Sequence, residues 1–335
     1  MTLGIIDVGT NSIHLLIGIL GLNGRFHTIL KERDLTRLGE GGLASGALRP
    51  VAMRRAMEML ARYAAIMQRC RVEHVEAVAT SAVRDAANGR AFVRRVRTRL
   101  GIPLRIISGR AEARLIYLGV LQASPLRQPT VVVTIGGGSA QVIEGRGTQI
   151  RYATSVPLGG ARLAQQFIHH DPARPEELAA LRADVRRRWR PSVAALRRRR
   201  WIQAVGSSAT IAQLMLAAHL RHHRHPPKHK RQLHLTPSAL RTLVEWLATS
   251  TAEARIRLPG VDPRREDLML PTGVVLLSWM EQCGVSTLRY APGSVREGLV
   301  IDYLIHHHRH QARQRFEHPL DEMLSTNGGQ EVVVP

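Results

Sequence analysis

Cysteine is almost missing: Cys70 and Cys283 are the only two among 335 residues. That leaves no disulfide framework and no C-x-x-C metal or redox motif, and a reducing compartment suits such a chain. Lysine is nearly as scarce, with Lys31, Lys228 and Lys230 alone. Aromatic residues make up 4%, too few to interleave a stacking platform for single-stranded nucleic acid. No run of about 18 uncharged apolar residues offers a membrane span. The apolar opening Met1 to Leu20 has no basic leader and is interrupted by Asp7, Asn11 and His14. A secretory signal is therefore not expected, and the expected compartment is the cytoplasm.

What the chain does have is arginine. Basic residues number 48 against 26 acidic ones, a formal charge of +22. Such a field attracts polyanions, and arginine grips phosphate in bidentate fashion better than lysine does. The blander reading is that arginine replaces lysine on ordinary solvated faces. The charge is uneven: Arg182, Arg186 to Arg188, Arg190 and Arg197 to Arg200 crowd one stretch, where Pro191 is expected to break a helix. Histidines gather in 219–234 and 306–318. His222, His223 and His225, or His306 with His310, have spacings a divalent metal uses, but no carboxylate or cysteine completes either set. Residues 313–335 are expected to be a disordered tail.

Length suggests about two domains, and an internal repeat supports this. Ile5 to Ser12 (Ile-Ile-Asp-Val-Gly-Thr-Asn-Ser) has the pattern of a buried strand entering a tight turn, with a second turn at Asn23-Gly24. Val132 to Ser139 (Val-Val-Thr-Ile-Gly-Gly-Gly-Ser) repeats it 127 residues on, as Ala204 to Ala209 repeats Ala77 to Ala82. Each half then continues with a helix, Pro50 to Arg69 or Glu176 to Arg190, another strand and further helices. The expected fold is α/β, two duplicated halves with helices on sheets and a cleft between them. The boundaries are 1–124, joined by a helix at 295–306, and 125–294 with the His/Arg-rich insert 219–234. Glycine turns let consecutive main-chain N–H groups approach phosphate oxygens, although one such turn alone serves equally well as a tight hairpin.

These segments resemble the exopolyphosphatase/guanosine pentaphosphate phosphohydrolase (Ppx/GppA) family. The motifs that carry the resemblance are Asp7 to Ser12, Ala79 to Ala86, Ile107 to Leu115, Ile135 to Ser139, Pro157-Leu158-Gly159, Leu258-Pro259-Gly260 with Arg265 and Asp267, and Arg296 to Leu299. They follow the family's order over about residues 3 to 305, at the length of its short members. The resemblance implies two RNase H-like domains of the actin/Hsp70/sugar-kinase type closing over a phosphate-bearing ligand, with the last helix packed on the first domain. It implies hydrolysis of a terminal phosphoanhydride, in inorganic polyphosphate or guanosine pentaphosphate, assisted by magnesium. Glu112 aligns with the family's catalytic glutamate and Arg84 with its phosphate-contacting arginine. Asp7 would hold the cation, together with Glu112, or order water. Gly9, Thr10, Asn11 and Ser12, then Gly136, Gly137, Gly138 and Ser139, then Gly206, Ser207 and Ser208, with Arg265, would contact phosphate. Without the family, Glu112 is an exposed helix residue pairing with Arg110 or Arg114, and Arg84 a partner for Asp85 or another nearby acid.

The chain departs from the pattern where the family's second turn reads Asp-Ile-Gly-Gly-Gly-Ser-Thr-Glu. Here Thr134 and Gln141 replace both acids. Ala111 stands for the first of a paired Glu-Glu, and Gly206 to Ala209 lacks a second glycine. Losing two negative charges weakens a magnesium site, which leaves open a member that binds polyphosphate or an alarmone without turnover. A kinase of the same superfamily explains the turns but not the Glu112 motif. Nucleic-acid binding by the arginine stretches and a homodimer stay open as well.

Overall fold

The computed structural model describes residues 1–21 and 25–314, with side chains to residue 307. The expected Asn23-Gly24 turn and residues 315–335 of the expected tail lie outside the described residues; 313 and 314 belong to the last helix.

The first half comprises β1 (Thr2–Val8), β2 (Ile13–Leu20), β3 (Phe26–Asp34), α1 (Pro50–Arg69), β4 (His74–Ala79), α2 (Ser81–Arg84), α3 (Gly89–Leu100), β5 (Leu104–Ile106) and α4 (Gly109–Ala123). The second comprises β6 (Thr130–Ile135), β7 (Ala140–Arg146), β8 (Gln149–Val156), α5 (Gly160–Phe167), α6 (Pro175–Arg197), β9 (Gln203–Ser207) and α7 (Ala209–Leu220). It continues with β10 (His234–Leu235), α8 (Pro237–Thr249), α9 (Ala252–Arg257), α10 (Glu266–Cys283) and β11 (Leu288–Tyr290), and α11 (Val295–Gln314) ends the described chain.

The sheets repeat one order, β3-β2-β1-β4-β5 and β8-β7-β6-β9-β11, with β10 added at the second edge. The duplication extends to hydrogen-bond detail. Asp7 pairs with His14 across β1 and β2, and Thr134 pairs with Gln141 across β6 and β7, each residue shifted by 127. The Gly9 N–H donates to the Ser12 carbonyl at 3.0 Å, the Gly136 N–H to the Ser139 carbonyl at 2.8 Å. A bulge falls between Ile17 and Gly18 and again between Glu144 and Gly145. At both glycines a Cβ would lie 2.5 Å from a carbonyl oxygen of the neighbouring strand, His27 or Gln149, so the strand can bend there only without a side chain. The match of Ala77 to Ala82 with Ala204 to Ala209 identified the right elements in the wrong register. Ile5 faces Glu76 and Val132 faces Val205, so the structural shift there is 129, which is 205 minus 76. Short runs of small residues match in more than one frame, and the ladder decides between them.

Pro191 does not break its helix. α6 runs on to Arg197 because Trp189, Val193 and Leu196 are buried. Trp189 Nε1 donates to the Val275 carbonyl at 3.0 Å, and Ser192 Oγ to the Trp189 carbonyl at 2.9 Å. Burying these side chains outweighs the one lost backbone bond. The 219–234 insert finishes α7 and leads into the edge strand β10. His219 and His223 stack with ring centroids 4.2 Å apart, but among the described residues no three His, Cys, Asp or Glu side chains group to hold a metal. The side chain of His310 lies outside the described ones.

Strand alternation sends Ile6, Val8, Ile13 and Leu15 into a core under α1 and α3. The opposite face, with Leu3, Ile5, Leu16, Val132, Ile143 and Val205, meets Tyr117, Val295, Leu299 and Tyr303. Helices α4 and α11 thus form one layer shared by both sheets. They touch backbone to backbone: a Cβ on Gly298 would lie 1.9 Å from the Leu115 carbonyl oxygen, and one on Gly119 2.3 Å from that of Ser294. Among the described residues no helix is long and apolar enough to cross a membrane.

Candidate active site

Asp7 and Thr134 stand near the C-terminal ends of β1 and β6, on the sheet faces that meet the shared helix layer. Their cross-strand partners His14 and Gln141 face the same way because directly opposed residues share a face. The first turns of α4 and α11 add Glu112 and Arg296. These six side chains and the two glycine turns line a cavity of about 210 Å³ between the halves. The turns meet tip to tip: a Cβ on Gly137 would be 3.1 Å from the Cβ atoms of Thr10 and Asn11, and one on Gly138 would be 2.5 Å from Thr10 Oγ1. Only glycine lets the second turn come so close.

Of the residues expected from sequence, Asp7, Gly9 to Ser12, Glu112, Gly136 to Ser139, Ser208 and Arg265 line this cavity. Gly206 and Ser207 do not. A Cβ on Gly206 would meet Ile211 and Leu288 at 2.9 Å, and Ser207 Oγ donates to the Gly293 carbonyl at 2.7 Å, so both are packing positions behind the wall. Ser208 caps α7, its Oγ accepting from the Ile211 N–H at 3.1 Å. Arg84 stands behind the lining, donating from Nη1 to Glu112 Oε2 at 2.8 Å and to the Ile107 carbonyl at 3.3 Å. Its Nε lies 3.4 Å from Asp85 Oδ1. Glu112 is accordingly buried and paired with Arg84, while Arg114 pairs with Asp302.

Burial dominates the electrostatics. Asp7 Oδ1 is sealed from solvent with no hydrogen-bond partner, and desolvation pushes the carboxyl up to about 7; Arg296 opposes this, while Glu112 and Glu297 add to it. The residue keeps part of its surface open to the cavity, which tempers the effect. Desolvation also raises Glu112, against the pull of Arg84. His14 is pushed down to about 2, first by desolvation and then by Arg296 and Arg265, so it is neutral, and its Nδ1 has no partner. Arg265 is lowered to about 10, mainly by desolvation, and stays charged at neutral pH. It donates from Nη2 to Ser12 Oγ at 3.0 Å and leaves Nε unpartnered. The unpaired Asp7 oxygen next to buried Glu112 suits a hard cation that takes oxygen ligands, keeps water and completes its shell with substrate phosphate, as magnesium does.

The cavity thus lies between duplicated halves and holds a buried glutamate paired with an arginine. The sequence profile of the Ppx/GppA phosphatase family matches residues 21–307. The chain belongs to this family. An uncharacterized protein of Streptomyces coelicolor is 32% identical, covering 91% of this chain and 90% of that one. Exopolyphosphatase 1 of Mycobacterium tuberculosis is 29% identical over 90% and 88%. Among solved structures, an exopolyphosphatase from Cytophaga hutchinsonii is similar with a TM-score of 0.83 and 30% identity, covering 91% and 98% of the two chains. The Ppx/GppA family member of Aquifex aeolicus has a TM-score of 0.74 at 25% identity over 92% and 98%. The fold is therefore the duplicated α/β arrangement expected from the sequence, and it is shared with these Ppx/GppA structures.

Sequence reasoning assigned no role to His14, Ser81, Arg162 or Arg296. Arg296 was visible in the Arg296 to Leu299 motif, and Arg162 follows the Pro157-Leu158-Gly159 motif by three residues. His14 carried a usable signal as the residue 127 positions before Gln141.

Proposed function

We propose that this Ppx/GppA protein hydrolyses the terminal phosphoanhydride of inorganic polyphosphate, with magnesium. The observation that carries the reading is the pair of carboxylates, half-buried Asp7 and buried Glu112, facing two opposed glycine turns in one small cavity. Main-chain N–H groups of Thr10 to Ser12 and Gly137 to Ser139, with Arg265, hold the terminal phosphate, while the Gly9 and Gly136 N–H groups close the turns on the Ser12 and Ser139 carbonyls. Asp7, with Glu112 beside it, would hold magnesium, which when bound supplies positive charge against the transferred phosphoryl group. Glu112 accepts the proton of the attacking water, its raised basicity matched to that task. Arg84 steadies Glu112 and offers charge to the phosphoryl oxygens as they become more negative.

Two features favour a bare phosphate chain over guanosine pentaphosphate. Among the described residues no Phe, Tyr or Trp lines the cavity to stack a base, and about 210 Å³ falls below the roughly 300–1,000 Å³ usual for organic ligands. Phosphate release from polyphosphate and from guanosine pentaphosphate, with and without magnesium, tests the reading. Magnesium-dependent release from polyphosphate that disappears in Glu112→Gln is expected, and undiminished release by that variant refutes the role. The neutral pair Thr134 and Gln141 favours a second reading, polyphosphate binding without turnover. Turnover by the unaltered protein eliminates it.

A further inference from the structure

Arg162, on the first turn of α5 in the second half, reaches across to the first. Its Nε donates to the Gly138 carbonyl at 2.8 Å, and its Nη2 donates to Ser81 Oγ at 3.2 Å and to Asp85 Oδ2. Ser81 Oγ itself donates to Asp85 Oδ2 at 3.0 Å, and Arg84 Nε approaches Asp85 Oδ1 at 3.4 Å. One carboxylate at the rim therefore gathers two guanidinium groups and a hydroxyl, a donor set that suits a phosphate group. The place is adjacent to the site, because Ser81 and Gly138 both line the cavity.

The surroundings are unequal. The Arg162 and Arg84 side chains are 14% and 19% exposed and the Asp85 side chain 37%. The cations are fixed and poorly hydrated, whereas the anion between them opens to water. An exposed carboxylate leaves such a pair at small cost, and a phosphate chain brings more negative charge to the same donors.

We propose that Asp85 is an internal anion holding the place of a substrate phosphate between Arg84 and Arg162, which makes Arg162 a phosphate-chain contact at the cavity mouth. The proposal rests on the polyphosphate reading above. An arriving chain displaces Asp85 and takes over Arg162. It also draws on Arg84, loosening that residue's hold on Glu112, so the chain that occupies the mouth helps to free the base.

The test uses the full chain with tripolyphosphate and magnesium, reading KM from phosphate release and Kd by calorimetry. Asp85→Asn removes the competing charge and leaves the bond from Arg162 to Gly138 in place; KM and Kd are expected to fall three- to tenfold. A purely structural ion pair predicts no change or a rise, and either result overturns the proposal. Arg162→Gln is expected to raise both constants at least tenfold, and unchanged constants in that variant overturn it too. If Arg162→Gln fails to fold, the direction seen in Asp85→Asn alone decides. Unaltered protein that neither binds nor cleaves tripolyphosphate overturns the polyphosphate reading and this proposal with it. Unaltered protein that binds, with Asp85→Asn binding no tighter, overturns this proposal alone.

Discussion

Asp7 faces His14 across the β1–β2 ladder, as Thr134 faces Gln141 across β6–β7. The two hairpins are equivalent to the residue, yet one presents an ionisable pair to the cavity and the other a neutral pair. The halves share a shape and divide the chemistry.

The cost of a buried Asp7 carboxylate is measurable. With the folded carboxyl near 7 and the unfolded one near 3.9, the folded state loses stability as pH rises between those values. The loss is complete above the upper one. Asp7→Asn should therefore abolish phosphate release while stabilising the metal-free protein at pH 8 by about 2–4 kcal/mol, with little gain at pH 4. Urea unfolding in chelator at the two pH values checks this, with Arg296, Glu112 and Glu297 left in place around the position.

His14 works in the opposite direction. Its folded-state value near 2 lies below the unfolded value of about 6.5, so the unfolded chain alone takes up a proton as pH falls through that window. Between pH 7.5 and 5 this costs the fold about 1–2 kcal/mol, tempered by the open side of the cavity. His14→Gln should remove that share of the acid sensitivity, seen as a smaller shift of the urea midpoint over the same range. An unchanged shift would place the acid sensitivity elsewhere.

Much of this architecture was legible because duplication writes the same strand, turn and bulge twice. The strand to Asp7 and the helix over Pro50 to Arg69 follow directly from apolar patterning and the Pro50 start. Pro191 misled because local backbone preference says nothing of the burial of Trp189 and Leu196. Gly206 and Ser207 misled because a small residue at a strand end serves packing as readily as phosphate binding. The resemblance singled out Glu112, whereas patterning alone gives an ordinary surface acid and its burial shows only in the fold; the link from Arg162 to Asp85 joins residues 77 apart, which only the assembled halves bring together.

Replacing the second-half pair tests the division of labour. Thr134→Asp with Gln141→Glu adds two carboxylates to the cavity wall and should lower the magnesium concentration needed for half-maximal phosphate release at least fivefold. An unchanged requirement would mean that these positions do not face the cation.

The contact of α4 with α11 offers a test remote from phosphate. Gly298→Ala sets a methyl group against the Leu115 carbonyl and should destabilise the protein by about 1–3 kcal/mol. It should also raise KM by displacing Arg296, measured by thermal unfolding and phosphate release. A variant as stable and active as the unaltered protein would show that the helices can separate without cost.

Because Asp7 sits on β1 and Arg296 on α11, the cavity is closed only when segments almost 300 residues apart in sequence have come together. Removing α11 would open one wall and at the same stroke uncover Leu3, Ile5 and Val132, so one helix seals both the chamber and the core beneath it.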